Sequence, residues 1–225
     1  MNGERRALVT GATGYVGGRL VPGLISAGWN VTVLARRPDK LREAPWADSV
    51  RIVEGDARSS ADIAVALEGV DVAYYLLHSL HQGKGLEDAE ERTAEAFAAA
   101  AGLSSLQRII YLGGLAPQLR DEQMSPHMRS RVRVGRILRS SGIPVAELRA
   151  SVIIGSGSAS FEMLRYITER LPVMITPRWV RTPTQPIAIR DVLRYLVLSA
   201  DLPAEVNRAF DIGGPEVLTY QQMMQ

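Results

Sequence analysis

Along most of the chain, short apolar runs alternate with longer stretches of helical period. Runs at 7–10, 31–35, 50–54, 70–77, 109–112 and 145–153 read as buried strands, and stretches such as 17–27 and 88–101 read as helices. Strand, helix, strand in this rhythm predicts right-handed crossovers and a parallel sheet covered on both faces. The expected fold class is therefore α/β, a doubly wound parallel sheet. After Ile154 the rhythm breaks into a Gly/Ser segment at 155–160, a helical pattern, and a proline-punctuated stretch at 171–186 that resists regular assignment. Residues 187–189 read as a short strand, Asp191 as the N-cap of a helix to about Ala200, and 209–212 as a final strand. A single domain over 1–225 is expected, with its core over 1–154 and a small irregular region over 155–225. Residues 219–225 read as an N-capped helix stopping after about two turns, as in a domain cut before a second one.

A chain of 225 residues can bury a core on both faces of such a sheet. Its hydrophobic fraction of 46% and charged fraction of 22% fit a soluble globule, and no apolar run approaches the roughly 18 residues of a spanning helix. Residues 1–6 are polar and lead straight into a strand, unlike a signal peptide, so the cytoplasm is the expected location. The absence of cysteine excludes disulfides, thiolate nucleophiles and Cys-ligated zinc. The net charge is only +2, and the cations are arginines apart from Lys40 and Lys84.

Directly after the first strand stands Gly11-Ala12-Thr13-Gly14-Tyr15-Val16-Gly17. The first glycine permits a tight turn, the second lets the backbone approach a pyrophosphate, and the third lets helix and strand pack closely. Phosphates would then meet N–H groups at the positive end of the first helix. An NAD-selective site carries an acidic residue about 20 residues on, at the end of the second strand. Here that position reads Ala35-Arg36-Arg37, which suits a 2′-phosphate by charge and bidentate geometry and predicts NADP(H) over NAD(H). The alternative is a solvated pair of loop arginines. Asp56 and Ala57 follow the third strand, where proteins that this chain resembles use an Asp and the next backbone group to meet the adenine; the alternative is that Asp56 caps a helix beginning near Ser60. Leu76, Leu77, His78 and Ser79 end the fourth strand at the edge where ligands of open α/β sheets bind, alongside the expected nicotinamide ribose.

From Leu8 to about Tyr220 the chain resembles the atypical short-chain dehydrogenase/reductases, a group that includes NmrA-like regulators and the NADPH-binding subunit of respiratory complex I. The resemblance rests on Gly-x-x-Gly-x-x-Gly at 11–17 and on the strings at 74–79, 149–158 and 185–192. It implies an NADPH-dependent reductase or isomerase of a small, largely apolar carbonyl-type substrate. The family's catalytic Tyr and Lys have no counterpart here: aligning its Ser-Lys element on Ser130-Arg131 puts His127 at the Tyr position. Arg131 then takes the Lys role of holding the ribose hydroxyls. Gly113 and Gly114 stand where the family carries its catalytic Ser.

His127, with an ordinary pKa near 6.5, suits proton transfer at neutral pH, or it is a structural residue at a helix start. His78 faces the nicotinamide and substrate, or is a satisfied loop histidine. The catalytic candidates are thus His127, Arg131 and His78. The altered triad equally supports a non-catalytic NADP(H)-binding sensor or partner-stabilising module, or a site completed by a further domain. Phe161, Met163, Trp179 and the segment 178–185, with its arginines Arg178 and Arg181, are the expected substrate wall. His78 and His81 near Glu87, Asp88 and Glu90 lack a third ligand at suitable spacing, so no metal is expected. Arg129, Arg131, Arg133, Arg136 and Arg139 lack an interleaved aromatic platform and read as a solvated helix face rather than a nucleic-acid footprint.

Overall fold

A computed structural model describes residues 4–78, 86–115, 123–158, 162, 166 and 181–223. Chain order runs β1 (Arg5–Thr10), α1 (Tyr15–Ser26), β2 (Trp29–Ala35), β3 (Arg51–Glu54), α2 (Ser60–Ala66), β4 (Val72–Tyr75) and α3 (Leu86–Gly102). It continues with β5 (Arg108–Gly114), α4 (Pro126–Arg139), β6 (Val145–Ala150), β7 (Ile153–Ile154), β8 (Pro183–Thr184) and β9 (Ile187–Ala188). The last elements are α5 (Ile189–Leu198), β10 (Arg208–Ile212), β11 (Leu218–Thr219) and α6 (Tyr220–Met223).

Seven strands form one parallel sheet in the order β3-β2-β1-β4-β5-β6-β10. The strand order reverses between β1 and β4, which opens a crevice at their carboxyl ends. Every strand near the centre is apolar on both faces because both are covered. On one face Ala7, Val9 and Val33 pack against Leu20 and Leu24 of α1 and Val192 and Leu196 of α5. On the other, Leu8, Ala73 and Ile109 pack with Ile63 of α2, Phe97 of α3 and Leu138 of α4.

Two sequence expectations need correction. The run 145–153 is not one strand: β6 ends at Ala150, and Ile153–Ile154 pairs instead with Ile187–Ala188 in a separate two-stranded ladder. Ser151 turns the chain there, its hydroxyl donating to the Gln185 carbonyl at 2.6 Å. Nor is Asp191 an N-cap: α5 starts at Ile189 with Ala188 at the cap, and Asp191 lies in the first turn. A carboxylate there complements the helix dipole without capping it.

Helix α1 contains Pro22, which cannot donate to the Gly18 carbonyl one turn back. The indole N–H of buried Trp46, from the chain between β2 and β3, donates to that carbonyl at 3.2 Å. Beneath α4 lies Glu147 of β6, only 1% exposed, ion-paired with Arg139 and, at 2.8 Å, with Arg149. Gly135 of α4 sits directly on this carboxylate: a methyl group at 135 would stand 2.7 Å from Glu147 Oε2. The carboxylate is held from two sides and cannot step aside. Gly135→Ala is therefore expected to lower stability by about 1–3 kcal/mol, despite the roughly 1 kcal/mol by which alanine favours a helix. Urea unfolding measures it, and an alanine variant as stable as wild type would contradict the packing.

Candidate functional site

The turn after β1 is built by a conformation and by close contacts that only glycine allows. Gly11 has φ +76°, and a Cβ there would stand 2.8 Å from the Leu76 carbonyl oxygen. A Cβ at Gly17 would stand 2.3 Å from the Gly11 oxygen. Gly14 N–H closes the turn onto the Gly11 oxygen at 2.9 Å and is the N-cap of α1. No side chain caps α1 and its first turn has no acidic residue, whereas Ser59 caps α2 and Ser125 caps α4. The first turn of α1 thus offers backbone donors and positive dipole to an anion. Tyr15 Oη, which lies against Gly155, is buried and has no hydrogen-bond partner among the described residues. The residues present fit the pyrophosphate of a dinucleotide.

From this turn a cavity of about 380 Å³ crosses the carboxyl ends of the sheet. Gly11 and Thr13 border its middle. At one end, Arg36 and Arg37 after β2 line it together with Lys40, and Asp56, Ala57 and Arg58 close it after β3. Asp56 accepts from the Arg58 guanidinium and backbone N–H, and Arg58 holds its carboxyl below the ordinary aspartate range. Asp56 is not a helix cap, contrary to one of the sequence readings. Ser59 Oγ accepts from Asp62 N–H at 3.3 Å, and the Asp62 carboxylate accepts from Asp56 N–H at 2.8 Å.

At the other end, Leu77 and His78 after β4 meet Tyr111 of β5, Glu90 of α3 and Arg131 of α4. Leu76 packs with the core cluster that includes α1, and its carbonyl and Cβ border the glycine turn. Arg131 is anchored through its own chain: a guanidinium N–H donates to the Leu112 carbonyl at 3.2 Å, and Tyr111 Oη donates to the Arg131 carbonyl at 3.2 Å. His127, exposed in the first turn of α4, does not line the cavity but meets His78 edge to face, ring centroids 5.0 Å apart.

The His78 side chain is 25% exposed. Burial, then Arg131 and His127, pull its pKa down to about 3, so it is a neutral imidazole at physiological pH. Glu90 Oε1 lies 3.8 Å from His78 Nδ1, a neutral ring beside a carboxylate rather than a salt bridge. Partial desolvation and Arg131 lower the His127 pKa as well, opposed by Glu90.

Most of the α4 arginines are not solvated: Arg129 reaches Glu87 and Arg133 reaches Glu91 of α3, each at 2.9 Å, and Arg139 is committed to Glu147, whereas Arg136 is exposed. Phe161, Met163 and residues 178–180 of the expected substrate wall lie outside the described residues, as do Ser79 and His81; of the rest, Arg181 is exposed, Thr184 is buried and Gln185 is half-buried. Lys40, Arg58, Glu90 and Tyr111 line the cavity without having been singled out for it by the sequence. Lys40 had a signal, being four residues past Arg36. No helix among the described residues is long and apolar enough to cross a membrane.

A family model described as NAD(P)H-binding matches residues 11–158. Over 70 residues the chain is 36% identical to a 3-beta-hydroxysteroid dehydrogenase of Mycolicibacterium neoaurum, a match covering 31% of this chain and 18% of that enzyme. In fold it is similar to the Bordetella bronchiseptica enzyme WbmG in complex with NAD, with TM-score 0.79 and 16% identity over 99% of this chain and 77% of that one. MoeE5 in complex with UDP-glucose and NAD gives TM-score 0.77 and 19% identity, covering 96% and 79%. UDP-glucuronic acid 4-epimerase from Bacillus cereus with NAD gives 0.77 and 16%, covering 97% and 80%. The structural likenesses establish a Rossmann-like α/β fold.

A histidine whose pKa is depressed on folding makes the native state bind fewer protons than the unfolded one, so stability falls as pH drops. For His78 the window runs from about 6.5 down to about 3. His78→Gln should unfold with a shallower loss of stability across that window than wild type, read from urea midpoints at a series of pH values. Parallel slopes would show that His78 is not held neutral by the fold.

Proposed function

The chain belongs to the NAD(P)H-binding family, and from that membership we propose that it is an NADP(H)-dependent oxidoreductase of the atypical short-chain dehydrogenase/reductase type. Its substrate is a small, largely apolar carbonyl compound that it reduces or isomerises. The observation that carries the cofactor choice is the charge at one end of the cavity. Arg36 and Arg37 leave β2 where an NAD-selective site holds a carboxylate, and Lys40 lines the same wall. Guanidiniums at that position bind a 2′-phosphate in a bidentate manner and leave the ribose of NAD without its acceptor. The neighbours holding NAD share 16–19% identity with this chain, and cofactor choice resides in such side chains rather than in the fold.

In this reading the backbone of Gly11, Thr13, Gly14, Tyr15, Val16 and Gly17 holds the pyrophosphate, and Asp56 and Ala57 meet the adenine. Leu76, through its backbone, and Leu77 flank the nicotinamide ribose, whose hydroxyls Arg131 holds. NADPH, when bound, supplies the hydride. His78, kept neutral, exchanges a proton at the reacting oxygen, and exposed His127 beside it connects that proton with solvent. Arg131 opposes the build-up of positive charge on either ring.

A second reading, a non-catalytic NADP(H)-binding module, is favoured by Gly113 and Gly114, which leave no hydroxyl at the end of β5. Calorimetric titration tests the cofactor. NADPH is expected to bind at least about tenfold tighter than NADH, roughly 1.4 kcal/mol, and Arg36→Ala/Arg37→Ala should erase the preference. Equal affinities in wild type would overturn the NADP(H) assignment. NADPH binding without oxidation by any of a panel of aldehydes and ketones would select the second reading.

A further inference from the structure

We propose that Glu90 is the positioning residue of the cavity's histidine pair, holding the His78 proton on Nδ1 so that Nε2 presents its lone pair. The proposal rests on the reading of this cavity as a cofactor and substrate site.

Glu90 comes from α3, yet among the described residues it is the one carboxylate lining the histidine end of the cavity. Its two oxygens face different partners. Oε2 accepts from the hydroxyl of Ser130, which is completely buried in α4. Oε1 is thereby turned toward His78 Nδ1, 3.8 Å away. That separation exceeds a direct hydrogen bond and is bridged by a small ring rotation or one water. Of the other polar groups around the ring, Arg131 bears only donors and cannot accept the Nδ1 proton. The His127 ring packs against His78 edge to face, which among the described residues leaves the carboxylate as the strong acceptor.

A neutral imidazole has two tautomers, and the hydrogen bond made by one nitrogen decides what the other can do. With Nδ1–H directed at Glu90, Nε2 takes up the proton of an alcohol as it is oxidised; in the reducing direction Nε2 is first protonated from solvent through His127 and then passes that proton to the carbonyl oxygen. Ser130 explains why the carboxylate stays in register: its hydroxyl proton goes to Oε2 and prevents rotation of Oε1 away from the ring.

The histidine tautomers can be read directly by nitrogen-15 NMR of the full chain labelled at histidine. The chain has only three histidines, so His78→Gln identifies the His78 signals by difference. Wild type is expected to show His78 mainly as the Nδ1–H tautomer. Glu90→Gln, which keeps the side-chain shape, should reduce that form to a minority, and Ser130→Ala should shift it in the same direction. If Glu90→Gln does not fold, the Ser130→Ala spectrum decides alone. A His78 that is Nε2–H in wild type, or whose tautomer is unmoved by the folded variants, would overturn the proposal. NADPH titrated into the same samples separates the two readings: absence of binding to wild type defeats the cofactor assignment, whereas the tautomer result judges Glu90 independently of it.

Discussion

There is no room for a methyl group between the first turn of α1 and the loop that follows β1. A side chain at Gly17 would come within 2.3 Å of the Gly11 carbonyl oxygen, and one at Gly11 within 2.8 Å of the Leu76 oxygen. This contact brings three pieces of backbone together: the helix that offers its uncapped N–H groups, the turn that exposes them, and the end of β4. The cavity exists because helix, turn and strand end meet here without side chains between them. The chemistry at its two ends is added by residues that enter from elsewhere, Arg36 and Arg37 from β2 and His78 from β4.

The opposite face of the sheet is organised by charge where an apolar contact would be expected. Glu147 is buried in β6 between Tyr111 of β5 and Ala209 of β10, and Arg139 and Arg149 neutralise it. Ion pairs between Arg129 and Glu87 and between Arg133 and Glu91 repeat the pattern along the α3–α4 seam. Buried and half-buried pairs of this kind add little net stability over apolar packing, but a slip of one helix against the other leaves several charges uncompensated. They therefore fix the register of α4, and with it the height at which Arg131 meets the strand ends.

The cofactor end of the cavity was legible in the sequence because its determinants are local. A glycine spacing directly after a strand and a charged pair at the end of the next need no tertiary information to be interpreted. The other end was not. Glu90 looked like one of several acids near a pair of histidines, and only the packing of α3 on α4 separates it from Glu87 and Glu91, which face arginines instead. For the same reason the arginines of α4 read as solvated when their partners lie some forty residues away on another helix. The misassigned caps failed more simply. Asp56 and Asp191 are residues of the right type a few positions from the true helix starts, and sequence type does not fix the cap position within a turn.

The indole of Trp46 gives the proline in α1 a role. Because Pro22 leaves the Gly18 carbonyl without its helical donor, the chain leaving β2 is drawn across the helix and fastened there. Arg36, Arg37 and Lys40 lie on that fastened segment, between the strand and the tryptophan. The backbone entropy of that segment is lost when the domain folds and not when an anion arrives, so only the exposed side chains of the cationic wall remain to be ordered by the ligand. Removing one backbone N–H from a helix has in this way made the loop beside it a stiffer receptor.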